Sequence, residues 1–366
     1  MSWITTASPV ARGPAARAAT LDAARFVLIS LVVAAHLLEH VRHLPHLQVL
    51  YRFIYLFHMP AFVFLSGMVA SDVLDSRRAR RLLFGVVGVY LLHQAFARAL
   101  EAHLSGNPFS YQLDVPYWAL WYLVSLVLWR MSLPVLLVLR YPIAWAVGLA
   151  LVAGVLPFAG YTWSLSRTLA FYPFFVSGYL WTQRQGMRLP SVSPQLSIAL
   201  LCALAGVAWL TRDFSLQWYY NATGYARMGL EAWQGVGWRS VYLAVAGLGV
   251  LAVLSLCSRV DARWSALGRC SMAAYVLHIY LVKYAIHAGW LKAIVALPAS
   301  MRFVAVLFAG TAIAAGFSLV GRAMPWLFDL DWLHRWLGLQ QGGAGTQGNS
   351  VGAVATEIGQ VGQAVP

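Results

Sequence analysis

Charge is scarce in this chain. Only 10% of its 366 residues are Asp, Glu, Lys or Arg, against about 25% in an ordinary soluble domain, and 60% are apolar. A water-soluble enzyme of this size could not cover its core with so few polar side chains, so most of the chain must face lipid or other helices. Acidic residues are scarcer still, with 12 Asp and Glu opposing 26 Lys and Arg for a formal charge of +14. That excess does not describe a nucleic-acid surface, because the arginines sit in short clusters between apolar runs and build no basic face with interleaved aromatics. Cysteine is rare as well. Cys202, Cys257 and Cys270 are odd in number, fall in or at the ends of apolar runs and lack metal-ligand spacing, so we assign them no metal or redox role. The first twenty residues hold no apolar stretch that could act as a secretory signal. The first apolar run ends in Leu37-Leu38-Glu39-His40 without a small-residue cleavage site, which predicts a retained helix. No internal repeat of the kind found in secondary transporters is visible.

What is present is a series of apolar windows of the roughly 20 residues a bilayer core requires. Tyr141 to Ser166, Leu189 to Thr211, Ser240 to Ser258 and Val304 to Gly321 are free of formal charge, as is Phe53 to Ser71, which contains His58. Shorter windows, or windows holding an ionisable residue, are Leu21 to His40, Leu82 to His103, Val115 to Leu139, Thr168 to Gln183 and Cys270 to Trp290. The expected fold is therefore an all-α polytopic membrane protein, a bundle of about ten transmembrane helices. Positive residues near span ends favour the cytoplasmic side. Arg12, Arg17, Arg77, Arg78, Arg80, Arg81, Arg140, Arg184, Arg188, Arg259, Arg263, Arg269, Arg322 and Arg335 fall on one side if the amino terminus is inside, so both termini are expected in the cytoplasm. The organisation expected is a cytoplasmic segment over 1–19, a membrane domain over 20–338 and a flexible cytoplasmic tail over 339–366, the last rich in Gly, Gln, Ala and Val without helical period.

Ionisable residues inside spans are costly and usually face a bundle interior or a watery path. Arg25 and His36 are eleven residues apart, about three helical turns, so they share one face of the first span roughly 16 Å apart along its axis. Asp22, one turn before Arg25, shares that face. Snorkelling to the interface with Asp22 as partner would explain Arg25, but not a histidine three turns deeper. The second span carries His58, Pro60, Ser66 and Gly67. Pro60 frees a backbone carbonyl and kinks a helix, and Gly67 allows another helix to approach. Next comes the run Arg77, Arg78, Arg80 and Arg81, which is either a topology signal or a phosphate cradle, since Arg77 with Arg80, or Arg78 with Arg81, would share a helix face. Trp118, Trp121 and Tyr122 in the fourth span have interface anchoring as their default role. Ser271, Tyr275 and His278, spaced by four and three, form a polar stripe that should point into the bundle. The outer loop from Arg212 to Gln234 holds Trp218, Tyr219, Tyr220, Tyr225 and Trp233, for which sugar stacking and interface anchoring both stand.

Together these pieces resemble acyltransferase family 3, and in particular its branch similar to fucose 4-O-acetylase. Asp22 with Arg25 and His36 resembles the family's Arg-x10-His signature, followed by Phe57-His58-Met59-Pro60, Phe64-Leu65-Ser66-Gly67 and Arg77-x-x-Arg80. Trp121-Tyr122-Leu123 resembles a Trp-Phe-Leu element, and Gly268 to Ser271 leading to Tyr275 and His278 resembles a Gly-x-x-Ser…Tyr-x-x-His run. The resemblance implies a membrane O-acyltransferase of the bacterial cytoplasmic membrane. It would move an acyl group, usually acetyl, from cytoplasmic acyl-CoA to a hydroxyl of a glycan or exopolysaccharide precursor, using acyl-CoA as co-substrate and no bound cofactor or metal. It also implies His36 as the catalytic histidine, with Arg25, Arg77, Arg78, Arg80 and Arg81 contacting the donor and Asp22, His58, Ser66, Ser271, Tyr275 and His278 in support. A histidine with a pKa near ~6.5 suits removal of a hydroxyl proton during attack on a thioester, and we favour direct transfer over an acyl-enzyme on Ser66 or His36. The alternative is a non-catalytic exporter of a glycan or lipid-linked sugar.

Overall fold

A computed structural model describes residues 13–337, within which every regular element is helical. Ten principal helices follow one another: α1 (Pro14–Val41), α2 (Pro45–Met68), α3 (Ser76–Ser105), α4 (Trp118–Leu137), α5 (Pro142–Val152), α6 (Leu165–Gln185), α7 (Pro194–Leu210), α8 (Ala232–Cys257), α9 (Ser271–His287) and α10 (Ala299–Ala323). One falls in each expected window. Six of them, α1, α2, α3, α4, α8 and α10, are long and apolar enough to cross a membrane, and α9 makes a seventh if it is counted with the short helix Ala262–Arg269, from which it bends by 62°. The ten-span count therefore exceeds what helix length and composition support. Tyr141 to Ser166 shows why: its long helical stretch, Pro142–Val152, is about 16 Å, and Gly154, Pro157 and Gly160 follow in a segment of turns before the short helical turn Thr162–Ser164. The tail over 339–366 and the first twelve residues lie outside the described residues, while α1 already begins at Pro14.

The bundle carries its apolar side chains outward as well as inward. Val304 and Phe308 of α10 are 69% and 72% exposed, and Val135 and Val138 at the end of α4 are equally bare. This is the surface expected of a protein solvated by lipid, where helix packing must come from close contact between small residues. α1 is the central post, packed against α2, α9, α10 and the short helix Ala262–Arg269. α2 lies against α1, α6, α7 and α8. A Cβ added at Gly67 would sit 1.9 Å from the Phe175 carbonyl oxygen, and one at Gly178 would sit 2.0 Å from that of Phe64, so these two glycines let α2 and α6 touch backbone to backbone. The helix-approach role expected of Gly67 is what the fold uses. Gly268 does the same for the short helix, where a Cβ would meet the Asp22 carbonyl oxygen at 1.7 Å. It thereby fixes the turn of α1 that carries Asp22 and Arg25.

The chain after α10 returns to α3. Asp331 accepts from Arg80 Nε at 3.0 Å, Phe328 stacks on His93 at 6.1 Å, and Leu330 packs beside Gly88 in a π-helical turn, Leu83–Gly88, inside α3. The loop from Arg212 to Gln234 is pinned to the other end of the bundle. Arg52 Nη2 donates to Phe214 O at 2.7 Å, Arg42 Nη1 to the Tyr220 hydroxyl at 3.2 Å, and Ser166 Oγ to Asn221 O at 2.8 Å.

Candidate functional site

Two polar cavities lie toward opposite ends of α2 and α4. The first, about 250 Å³, lies where α2 ends and α3 begins, and is lined by Arg78, Arg81 and Arg130 among Val69 to Leu74. The aspartate that caps α3, Asp75, holds Arg78 at 2.9 Å. The cluster of four arginines therefore divides. Arg78 and Arg81 face the cavity, Arg80 is bound to Asp331, and Arg77 is exposed. Of the two face-sharing pairs the spacing allowed, Arg78 with Arg81 is the one turned to a cavity. Arg130 was not singled out from the sequence, although a charge within the span Val115 to Leu139 was a signal that could have found it.

Arg25 of α1 is held at 2.7 Å by Asp22, and its charge is close enough to act on Arg130 and Tyr122 of α4. Ser66 of α2 and Tyr122 share a hydrogen bond. Ser66 also donates to Phe62 O at 3.0 Å, which leaves Tyr122 as the donor to Ser66. The Tyr275 ring lies 5.7 Å from that of Tyr122, and its hydroxyl donates to Ala119 O. These residues form a polar thread through an apolar bundle, where unpaired groups would be costly.

The second cavity, about 210 Å³, contains His36. Its wall includes Glu39, Tyr55, His58, Trp118, Trp121 and Arg167, with Tyr219 and Tyr220 from the Arg212 to Gln234 loop. His36 Nδ1 lies 3.4 Å from Glu39 Oε2, one turn along α1. The same oxygen accepts from Trp118 Nε1 at 3.2 Å, and Arg42 approaches the other carboxylate oxygen at 3.8 Å. A carboxylate can only accept, so it selects the tautomer with the proton on Nδ1 and leaves Nε2 with its lone pair. The imidazole is boxed by the Trp118 ring at 4.2 Å and by His278 at 5.1 Å. Trp118 stands at φ 42°, a left-handed conformation that costs a bulky residue about 1–3 kcal/mol and persists only where surrounding structure enforces it.

The supporting histidines are fixed by backbone. His58 Nδ1 donates to Ile54 O at 2.8 Å, and His278 Nδ1 to Ala274 O at 3.1 Å. His278 Nε2 is then a buried acceptor without a partner beside the His36 ring. Ser271 opens α9 and lines neither cavity. Of the aromatics in that loop, Tyr219 and Tyr220 reach the His36 cavity, Tyr225 is buried in the protein, Trp218 packs on Trp238, and Trp233 is exposed. Burial raises the Tyr220 phenol above its ordinary range, so it meets Arg42 and Tyr51 as a neutral hydroxyl. Glu39 and Arg167 were missed as site residues. Glu39 was detectable as a carboxylate one turn from His36; nothing in sequence pointed Arg167 at a histidine 131 positions away. Among the described residues, no group of three or more His, Cys, Asp or Glu could hold a metal.

An arginine-lined cavity, a polar thread and a carboxylate-oriented histidine occur in a chain whose residues 19–319 match a family profile described as an acyltransferase domain. The chain belongs to this acyltransferase family. Membership of an acyltransferase family favours the transferase reading over the exporter alternative. The chain is also similar to nodulation protein NolL of Sinorhizobium fredii (strain NBRC 101917 / NGR234), with 31% identity over 202 residues, 48% of this chain and 53% of that protein. The chain thus spans about half the length of that curated relative. No solved structure matches it.

Proposed function

We propose that this acyltransferase moves an acyl group, acetyl in the first instance, from cytoplasmic acyl-CoA to a hydroxyl of a glycan or exopolysaccharide precursor, with His36 as general base. The observation that carries this reading is the pairing of His36 with Glu39 inside a cavity at the opposite end of the bundle from Arg78, Arg81 and Arg130. The donor's nucleotide phosphates would meet these arginines, whose planar forks suit phosphate oxygens. Its pantetheine arm would pass Arg25, Ser66 and Tyr122 toward His36. In this scheme the protein lies in the bacterial cytoplasmic membrane with both termini inside, and the arginine cavity opens to the cytoplasm.

Chemistry follows from the tautomer. His36 Nε2 takes the proton of the acceptor hydroxyl as its oxygen attacks the thioester carbonyl. The imidazolium that forms is stabilised by Glu39, and it returns the proton to the CoA sulfur as the C–S bond breaks. The transfer is direct. Ser66 is engaged by Phe62 O and Tyr122 and lines neither cavity, which argues against an acyl-enzyme on that residue.

The test is acyl transfer by the purified protein and by His36→Ala, with acyl-CoA consumption followed directly. Loss of a general base should slow transfer by about 10²–10⁴-fold. Full transfer by His36→Ala, or transfer that does not need acyl-CoA, would falsify the proposal.

A further inference from the structure

Arg167 is a cation with no salt-bridge partner among the described residues, although the Glu39 carboxylate on the same cavity wall is near enough to act on its charge. Arg167 makes one hydrogen bond among those residues, from Nε to Tyr220 O at 3.3 Å. Its guanidinium is held over the rings of Trp121 at 5.2 Å and Tyr161 at 5.4 Å. The two Nη nitrogens carry no protein partner, yet they are not sealed in the protein. Two other arginines show what a purely structural role looks like here. Arg52, 2% exposed, donates through Nη2 to Phe214 O and keeps both Nε and Nη1 enclosed, and Arg239, 1% exposed, donates through Nη1 to Ala150 O and keeps Nε enclosed. Arg167 instead points its free donors at open space shared with His36.

Stability does not explain this position. Arg167 sits in the first turn of α6 (Leu165–Gln185), the end at which the helix dipole disfavours a cation and favours an anion. The residues just before it, Trp163 and Ser164, have φ of 51° and 50°, a strained entry of the kind that collects at functional sites. Glu39, the one carboxylate of the cavity wall, is already met by His36, Trp118 and Arg42.

We infer that Arg167 binds an acidic group, carboxylate or phosphate, on the acceptor sugar, whose ring lies against the Trp118 and Trp121 side of the same cavity. The inference rests on the acyl-transfer reading above and adds the acceptor's charge class. A planar fork held by two aromatic rings is pre-organised for two parallel hydrogen bonds to an oxyanion. A neutral sugar leaves that fork unused in a place shielded from water, which is how a built site rejects an analogue that lacks the matching group.

The experiment measures acyl-CoA-dependent transfer to three probe acceptors, glucose, glucuronate and glucose 1-phosphate, by the wild type, Arg167→Gln, Arg167→Lys and His36→Ala. We expect kcat/KM for at least one acid to exceed that for glucose by about tenfold or more, the preference to fall to near unity in Arg167→Gln, and Arg167→Lys to retain part of it. Thermal unfolding in detergent checks that each variant is folded, and the acid-to-neutral ratio is insensitive to the amount of active protein. Equal rates on all three sugars in the wild type, absence of transfer to any of them, or an unchanged ratio in Arg167→Gln would overturn this inference. Transfer undiminished in His36→Ala would overturn the catalytic reading instead.

Discussion

His36 and Glu39 are one turn apart on α1, and in the proposed reaction their contact is what orients the histidine as a base. Glu39→Gln keeps the shape but lets the amide donate as well as accept, so the Nδ1-protonated tautomer is no longer enforced. We expect kcat to fall at least about tenfold, some 1.4 kcal/mol of barrier, with the KM for acyl-CoA unchanged. A rise in donor KM with kcat intact would show that Glu39 serves binding rather than the base. Trp118 supplies the second bond to that carboxylate from a strained backbone. Legibility at this scale was uneven. Arg25 and His36 were readable because two polar residues in one apolar helix announce a shared face, and Glu39 was within the same reach. Arg167 was not, because its relation to His36 is made by α6 folding back onto α2 and α4.

At the scale of elements, the arginine turn of α3 and the α2–α6 contact each make a quantitative claim. Arg78→Gln with Arg81→Gln should raise the Kd for CoA, and the effect should shrink as salt is added. Arg80→Gln should raise it less, since its guanidinium is engaged by Asp331; equal effects would mean that Asp331 yields to the donor. In the α2–α6 contact, Gly67→Ala drives a methyl into the Phe175 carbonyl and should cost about 3 kcal/mol, the upper part of the overpacking range. Gly206→Ala in α7, where nothing lies within 4 Å, should leave the thermal midpoint unchanged or slightly higher, since Ala is the better helix former. Comparable losses in both would refute the close-contact account. All ten windows contain a helix, yet the Tyr141 to Ser166 window was overread because hydropathy averages over Gly154, Pro157 and Gly160, while a helix cannot.

For the whole molecule, the separation of the two cavities ties chemistry to sidedness. With cysteines 202, 257 and 270 replaced, a cysteine at Asp213 should react with a membrane-impermeant maleimide in intact cells, and one at Ser76 only after permeabilisation. The reverse pattern would put the arginine cavity outside, away from cytoplasmic acyl-CoA. The Arg212 to Gln234 loop, bonded to Arg42, Arg52 and Arg167, closes over the His36 cavity, so the acceptor is expected to enter beside it.

Composition alone determined that this chain lives in a membrane, because 10% charge cannot solvate so large an apolar surface. Helical period determined that Asp22, Arg25 and His36 share a face of α1, since contacts within one helix depend only on spacing. Tertiary structure decided which arginines face a cavity, which carboxylate and indole orient His36, and that a stacked Arg167 shares its space. Those relations join helices far apart in sequence. They exist only because glycines such as Gly67, Gly178 and Gly268 let particular backbones meet, and that choice of partners is a property of the packed bundle rather than of any one segment.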